Sequence, residues 1–137
     1  ENLAAIVGMV AALKEDLEKQ EEHFQHVQNL ETAFLAELEG VQCYLNRGEH
    51  HLPYVLNIGF PGQKNDLLLL RLDLAGISIS TGSACTAGIV QSSHVLEAMY
   101  GANSERLKES VRISLSPQNT VEDLQTLAKT LKEIIGG

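Results

Sequence analysis

Val111-Arg112-Ile113-Ser114-Leu115 alternates apolar and polar residues, the pattern of a strand with one face on a core and the other turned outward. Val111, Ile113 and Leu115 share the inner phase, which leaves Arg112 and Ser114 on the outer one. Three further strands are legible upstream. Val41 to Leu45 alternates, Tyr54 to Phe60 follows Pro53 and stops at the Pro61-Gly62 turn, and Ile77 to Ser80 is short and alternating. Helical spacing fills the intervals. Asp66 to Ala75 carries a leucine-rich face and closes near Gly76, while His94 to Met99 starts behind a hydroxyl cap from Ser92 or Ser93. Thr120 with Asp123 three residues on opens a last helix through Leu124, Leu127, Leu131 and Ile134. At the front, Ile6, Val10, Leu13, Leu17, Val27, Leu30, Phe34 and Leu38 recur at helical spacing, so one long helix runs from Leu3 to Leu38 and ends at Gly40. Its polar middle, Glu18 to His26, faces water. The order predicts an α+β fold in one domain: an antiparallel or mixed sheet of about four strands against helices, with a long N-terminal helix.

The 137 residues suit one domain, and 44% hydrophobic content is that of an ordinary globular chain. Ten basic residues against 18 acidic ones give a net charge of -8, which leaves no basic stripe for nucleic acid or an anionic membrane. No apolar run approaches the ~18 residues of a membrane span. The acidic start reads as neither signal nor transit peptide. Cys43 and Cys85 are the two cysteines, without CxxC spacing, which speaks against a disulfide scaffold or zinc site and for a reducing cytoplasm.

Chemistry points to the stretch Ile77-Ser78-Ile79-Ser80-Thr81-Gly82-Ser83-Ala84-Cys85-Thr86-Ala87-Gly88, where a strand runs out into a loop of small residues. The loop, Thr81 to Gln91, leaves one thiol unshielded between Gly82 and Gly88, whose backbones are unconstrained by a side chain. Such a thiol is suited to travel between a buried site and an outside acceptor. No His, Lys or Arg lies within several residues of Cys85, so its activation must come from groups distant in sequence or from a cofactor. Cys43 reads instead as a structural thiol in apolar packing.

The run Ser80-Thr81-Gly82-Ser83-Ala84-Cys85-Thr86 resembles the active-cysteine loop of cysteine desulfurases, pyridoxal phosphate enzymes of the class V aminotransferase family. The resemblance extends along the whole chain. Leu52-Pro53 with Leu56-Asn57-Ile58 and Phe60-Pro61-Gly62 is similar to the strand and turn before that loop. Leu67 to Gly76 with Ile77 to Ser80, His94 to Met99 and Val111 to Leu115 are similar to the elements around it. The long Ser-Ala-Cys-Thr form sides with the group associated with iron–sulfur assembly and thiolation.

This resemblance implies roles for particular residues. Cys85 would be the nucleophile that takes sulfur from L-cysteine as a persulfide, releasing alanine. Arg112 would grip the substrate carboxylate, for which a planar guanidinium offers a two-pronged donor. The resemblance also implies that the chain is the C-terminal small domain of a fold type I enzyme. The lysine-bearing cofactor domain would precede Glu1, so no cofactor-binding residue is assigned here, and the piece alone would neither hold pyridoxal phosphate nor turn over cysteine. The full-length protein would be a homodimer that passes sulfur to an acceptor protein for iron–sulfur cluster or tRNA thiolation pathways. Ser116-Pro117-Gln118-Asn119 departs from the family's Gly-Arg-aromatic pattern after the last strand.

The remaining histidines read blandly. His94 is a first-turn helix residue, His50-His51 a solvated loop, and His23 with His26 a solvated helix face, so no metal is expected. A stand-alone persulfide carrier and a dimerisation domain with an incidental Cys85 are the competing readings of the same residues.

Overall fold

The computed structural model describes residues 2–82 and 93–136. Helix α1 (Leu3–Glu37) leads into strands β1 (Tyr44–Leu45) and β2 (Val55–Gly59), then helix α2 (Asn65–Leu74). Helices α3 (His94–Tyr100) and α4 (Arg106–Glu109) precede β3 (Ser110–Ser114), and α5 (Val121–Gly136) closes the chain. The strands form one antiparallel sheet in the order β1-β2-β3.

The alternation of β2 and β3 sets the layers. Leu56, Ile58, Val111 and Ile113 turn inward onto Val27, Leu30 and Phe34 of α1 and Leu124, Leu127 and Leu131 of α5, all of them buried. On the outer phase, Asn57 stands directly across from Arg112. Helix α5 begins as its sequence reads: Thr120 Oγ1 accepts from the Asp123 amide at 3.2 Å, and Asp123 Oδ2 accepts from the Thr120 amide at 2.9 Å. That backbone bond holds the Asp123 carboxyl below its ordinary value.

Among the described residues the sheet has three strands rather than four, with Ser80 adding a single bridge to Arg112. The cause lies at the end of α2. Gly76, at φ +81°, lets its amide reach Asp73 O at 2.9 Å while the Ile77 amide reaches back to Leu72 O at 2.9 Å. This Schellman turn commits the Ile77 amide to the helix end, and the chain joins the ladder only at Ser80. The first strand is also shorter than its alternation suggests, because Val41 and Cys43 pack against the core without entering the ladder.

Only the second half of α1 is packed. From Val27 onward its inner positions are buried, whereas Leu3, Ile6, Val10, Leu13 and Leu17 are each about half exposed or more. The polar middle does face water from Glu18 to Glu22, and Phe24 meets Tyr54 edge-on at 6.5 Å. No helix among the described residues is long and apolar enough to cross a membrane.

Gly59 shows how closely the outer face is filled. A Cβ there would lie 2.2 Å from Cζ of Tyr44, its partner across the ladder. Tyr44 cannot easily yield, since its hydroxyl donates to Glu109 Oε1 at 2.6 Å and Arg106 lies 4.4 Å from its ring centroid. Gly59→Ala is therefore expected to cost about 1–3 kcal/mol, the scale of overpacking. Equilibrium denaturation measures it; an unchanged midpoint would show that the ring moves aside freely.

Candidate active site

An open cavity of about 630 Å³ lies over the outer face of the sheet. Its floor is a polar row running across the strands: Asn46, Asn57 and Arg112. Ser80 continues that row at the edge, its backbone bonded to Arg112 in both directions. Gly82 and Ser93 complete the rim. These two are in contact, since a Cβ on Gly82 would stand 2.8 Å from Cβ of Ser93, and Gly82 has φ +127°. Residues 82 and 93 thus stand side by side at the cavity rim. Ser93 then caps α3, its Oγ accepting from the Leu96 amide at 3.4 Å.

Two arginines line the cavity, and they differ in what holds them. Arg47 is committed: its Nη1 donates to Glu31 Oε1 and lies 2.9 Å from His51 Nε2. Glu31 is 7% exposed and its second oxygen, Oε2, has no partner among the described residues. Arg112 is half-buried, on the side of the sheet away from the core, and no described carboxylate lies within ion-pairing distance of it. Its Nε is buried without an acceptor among the described residues, and Ser80 Oγ is likewise buried without a partner among them. A guanidinium in that position is charged, partly desolvated and unneutralised, which is what a carboxylate ligand requires.

Behind the row stands a scaffold of aromatic and amide groups. Arg106 lies between the rings of Tyr44 and Tyr100, 4.4 and 4.3 Å from their centroids. It donates to Asn46 Oδ1 at 3.1 Å, while Asn46 Nδ2 donates to Asn57 Oδ1 and to Ser110 Oγ, both at 2.8 Å. Burial first, and then the Glu109 carboxylate it donates to, push the Tyr44 hydroxyl up to about 12.

Of the residues singled out by sequence, Arg112 is in the cavity and Cys85 lies outside the described residues. His94 is in the first turn of α3 and also reaches the cavity. His51 is not merely solvated: it stands 3.6 Å from Glu31 Oε1 at the cavity edge, whereas His50 does not line it. His26 ties α1 to the turn after β3 through Asn119 O at 2.9 Å, so it and His23 do not face a common ligand. Among the described residues no three His, Cys, Asp or Glu side chains are grouped to hold a metal. Cys43 is half-buried against the core, and burial pushes its thiol up. Ser116 to Asn119, the departure after β3, forms a tight turn in which Asn119 Oδ1 accepts from the Ser116 amide at 2.8 Å.

Sequence reasoning missed Glu31, Asn46, Arg47, Asn57 and Arg106. One signal was available: Glu31 falls on the same helical stripe as Val27, Leu30, Phe34 and Leu38, and an acid on a buried stripe needs a cation. Asn46 and Arg47 sit in a stretch whose polarity resembles any surface loop, Asn57 is a polar residue on the outer phase of a strand, and Arg106 opens a helix too short to show a period.

Comparison with known proteins extends this picture. The chain is 44% identical over 138 residues to a putative cysteine desulfurase, IscS 1, of Bacillus subtilis, a match covering 98% of this chain and 36% of that protein. It is 33% identical to the cysteine desulfurase IscS of Dictyoglomus turgidum, over 98% of this chain and 35% of that protein. The fold matches a NifS-like protein from Rickettsia africae with a TM-score of 0.82 at 28% identity, over all of this chain and 36% of that one. The chain thus spans about a third of the length of the curated relatives it matches. The aminotransferase class-V family model matches residues 1–127. With that match over nearly its whole length, the chain belongs to the class-V aminotransferase family.

Proposed function

We propose that this chain is the C-terminal part of a cysteine desulfurase, that Arg112 seats the carboxylate of L-cysteine, and that Cys85 receives its sulfur. The observation that carries the reading is the position of Arg112: an unneutralised guanidinium in a cavity whose rim is the contact between Gly82 and Ser93. Cys85 follows Gly82 by three residues, and three peptide units span at most about 11 Å, so chain length alone leaves the thiol within reach of that rim. In the reaction the Cys85 thiolate attacks the sulfur of L-cysteine and forms an S–S bond. The substrate C–S bond breaks, its electron pair stays on the carbon side, and protonation there yields alanine.

Class-V aminotransferases are pyridoxal phosphate enzymes. The described lining of the cavity contains no lysine to condense with the cofactor, so these residues do not fit a pyridoxal phosphate site by themselves. The cofactor therefore belongs to the remaining two-thirds of the longer protein, which is homodimeric and cytoplasmic on this reading. An acceptor protein then collects the persulfide sulfur for cluster assembly or tRNA thiolation.

The test is carboxylate recognition in the longer protein. Arg112→Ala should weaken L-cysteine by about 1.5–3 kcal/mol, the worth of a hydrogen bond to a charged group. Cysteamine, the same molecule without the carboxylate, should bind unchanged. Equal losses for both ligands, or none for either, would remove Arg112 from the site.

A further inference from the structure

Arg112 alone does not fill the recognition row, and the hydrogen bonds behind it fix what its neighbour presents. Resting on the carboxylate-binding role of Arg112, we infer that Asn57 is a second ligand for the substrate carboxylate, presenting its amide nitrogen beside the guanidinium. A guanidinium can only donate, so the contact from Arg106 Nη1 requires the oxygen of Asn46 on that side. The Asn46 nitrogen must then face the other way, where it donates to Ser110 Oγ and to Asn57. Asn57 in turn must offer its oxygen to Asn46. Its nitrogen is left over, and among the described residues it has no acceptor. Asn57 lines the same cavity as Arg112 and is its partner across the ladder, where side chains on one face stand about 5 Å apart.

The orientation is thus set from Arg106 outward. The rings of Tyr44 and Tyr100 hold Arg106, Arg106 orients Asn46, and Asn46 orients Asn57. A carboxylate entering the cavity meets a charged donor and a neutral donor from adjacent strands, and the two together define its plane as well as its position. Asn46 and Arg106 touch no ligand; they are positioning residues.

One variant is Asn57→Asp in the longer protein, which keeps an oxygen for Asn46, removes the amide donor and sets a carboxylate across the ladder from Arg112. KM for L-cysteine should rise about 10-fold or more, the scale of losing one charge-assisted hydrogen bond, while the inhibition constant for cysteamine stays within about twofold. Asn46→Asp offers an independent reading. It still accepts from Arg106 but cannot donate to Asn57, so Asn57 is driven to turn its oxygen toward the cavity. The same selective loss for L-cysteine is expected, with kcat little changed, which a merely structural defect would not produce. A thermal melt confirms that both variants are folded. If both bind L-cysteine like the parent while Arg112→Ala does not, the role of Asn57 is refuted and that of Arg112 survives. If Arg112→Ala also leaves L-cysteine recognition intact, both fall together.

Discussion

Phe34→Ala is expected to destabilise the chain by about 3–5 kcal/mol, the cost of emptying a large buried site. Phe34 is wholly buried on α1 and belongs to the one cluster that joins α1, α5 and the inner face of the sheet. Leu30, Ile58, Phe60 and Leu131, also fully buried, belong to the same cluster. Loss of the ring leaves a space that backbone-anchored neighbours on a helix and a sheet cannot jointly close. Against a typical total stability of about 5–15 kcal/mol, this removes a large share. Leu13 on the same helix is the control, because it is 56% exposed and its replacement by Ala should change the stability of this chain by less than about 0.5 kcal/mol. Denaturant midpoints for the two variants compare them directly, and similar losses at both positions would rule out the division of α1 into a packed and an unpacked half.

Arg47→Ala carries the second large effect, for an electrostatic reason. Glu31 is almost buried, and Arg47 is its principal counter-charge. Among the described residues, removing Arg47 strands the carboxylate with only His51, 3.6 Å away, to answer it. Breaking such a pair costs about 3–5 kcal/mol when both groups are deeply buried; with Arg47 28% exposed, the lower end is expected. Replacing both partners by Glu31→Leu with Arg47→Met should recover most of the loss, because no charge is then left unpaired. A single variant as stable as the parent would mean that water reaches Glu31 and the pair has little worth.

Much of the fold could be read from periodicity because the packing agrees with it. The alternation of Val111 to Leu115 placed Arg112 and Ser114 opposite the core, and the Thr120–Asp123 cap located the start of α5. Where periodicity misled, distant atoms decided. Ile77 to Ile79 alternates like a strand, yet the Schellman turn at Gly76 takes the first of its amides. Helix α4, four residues long, is too short to show a period. The apolar residues at the front of α1 keep helical spacing yet stay exposed among the described residues. The candidate site was half legible. Arg112 stands out by residue type and by resemblance, while Cys85 lies outside the described residues. The amide row is invisible in sequence because Asn46 gains its meaning from Ser110 and Arg106, 64 and 60 residues away.

Sulfur transfer from L-cysteine to Cys85 is the step on which the proposed activity depends. Incubating the longer protein with L-cysteine and mapping persulfides by mass spectrometry after alkylation reads that step itself. One added sulfur is expected on the peptide containing Cys85 and none on Cys43, whose burial disfavours the thiolate. Cys85→Ala should lose the modification together with alanine production. A persulfide that persists elsewhere in Cys85→Ala, with alanine formed at the parent rate, would overturn the assignment of Cys85.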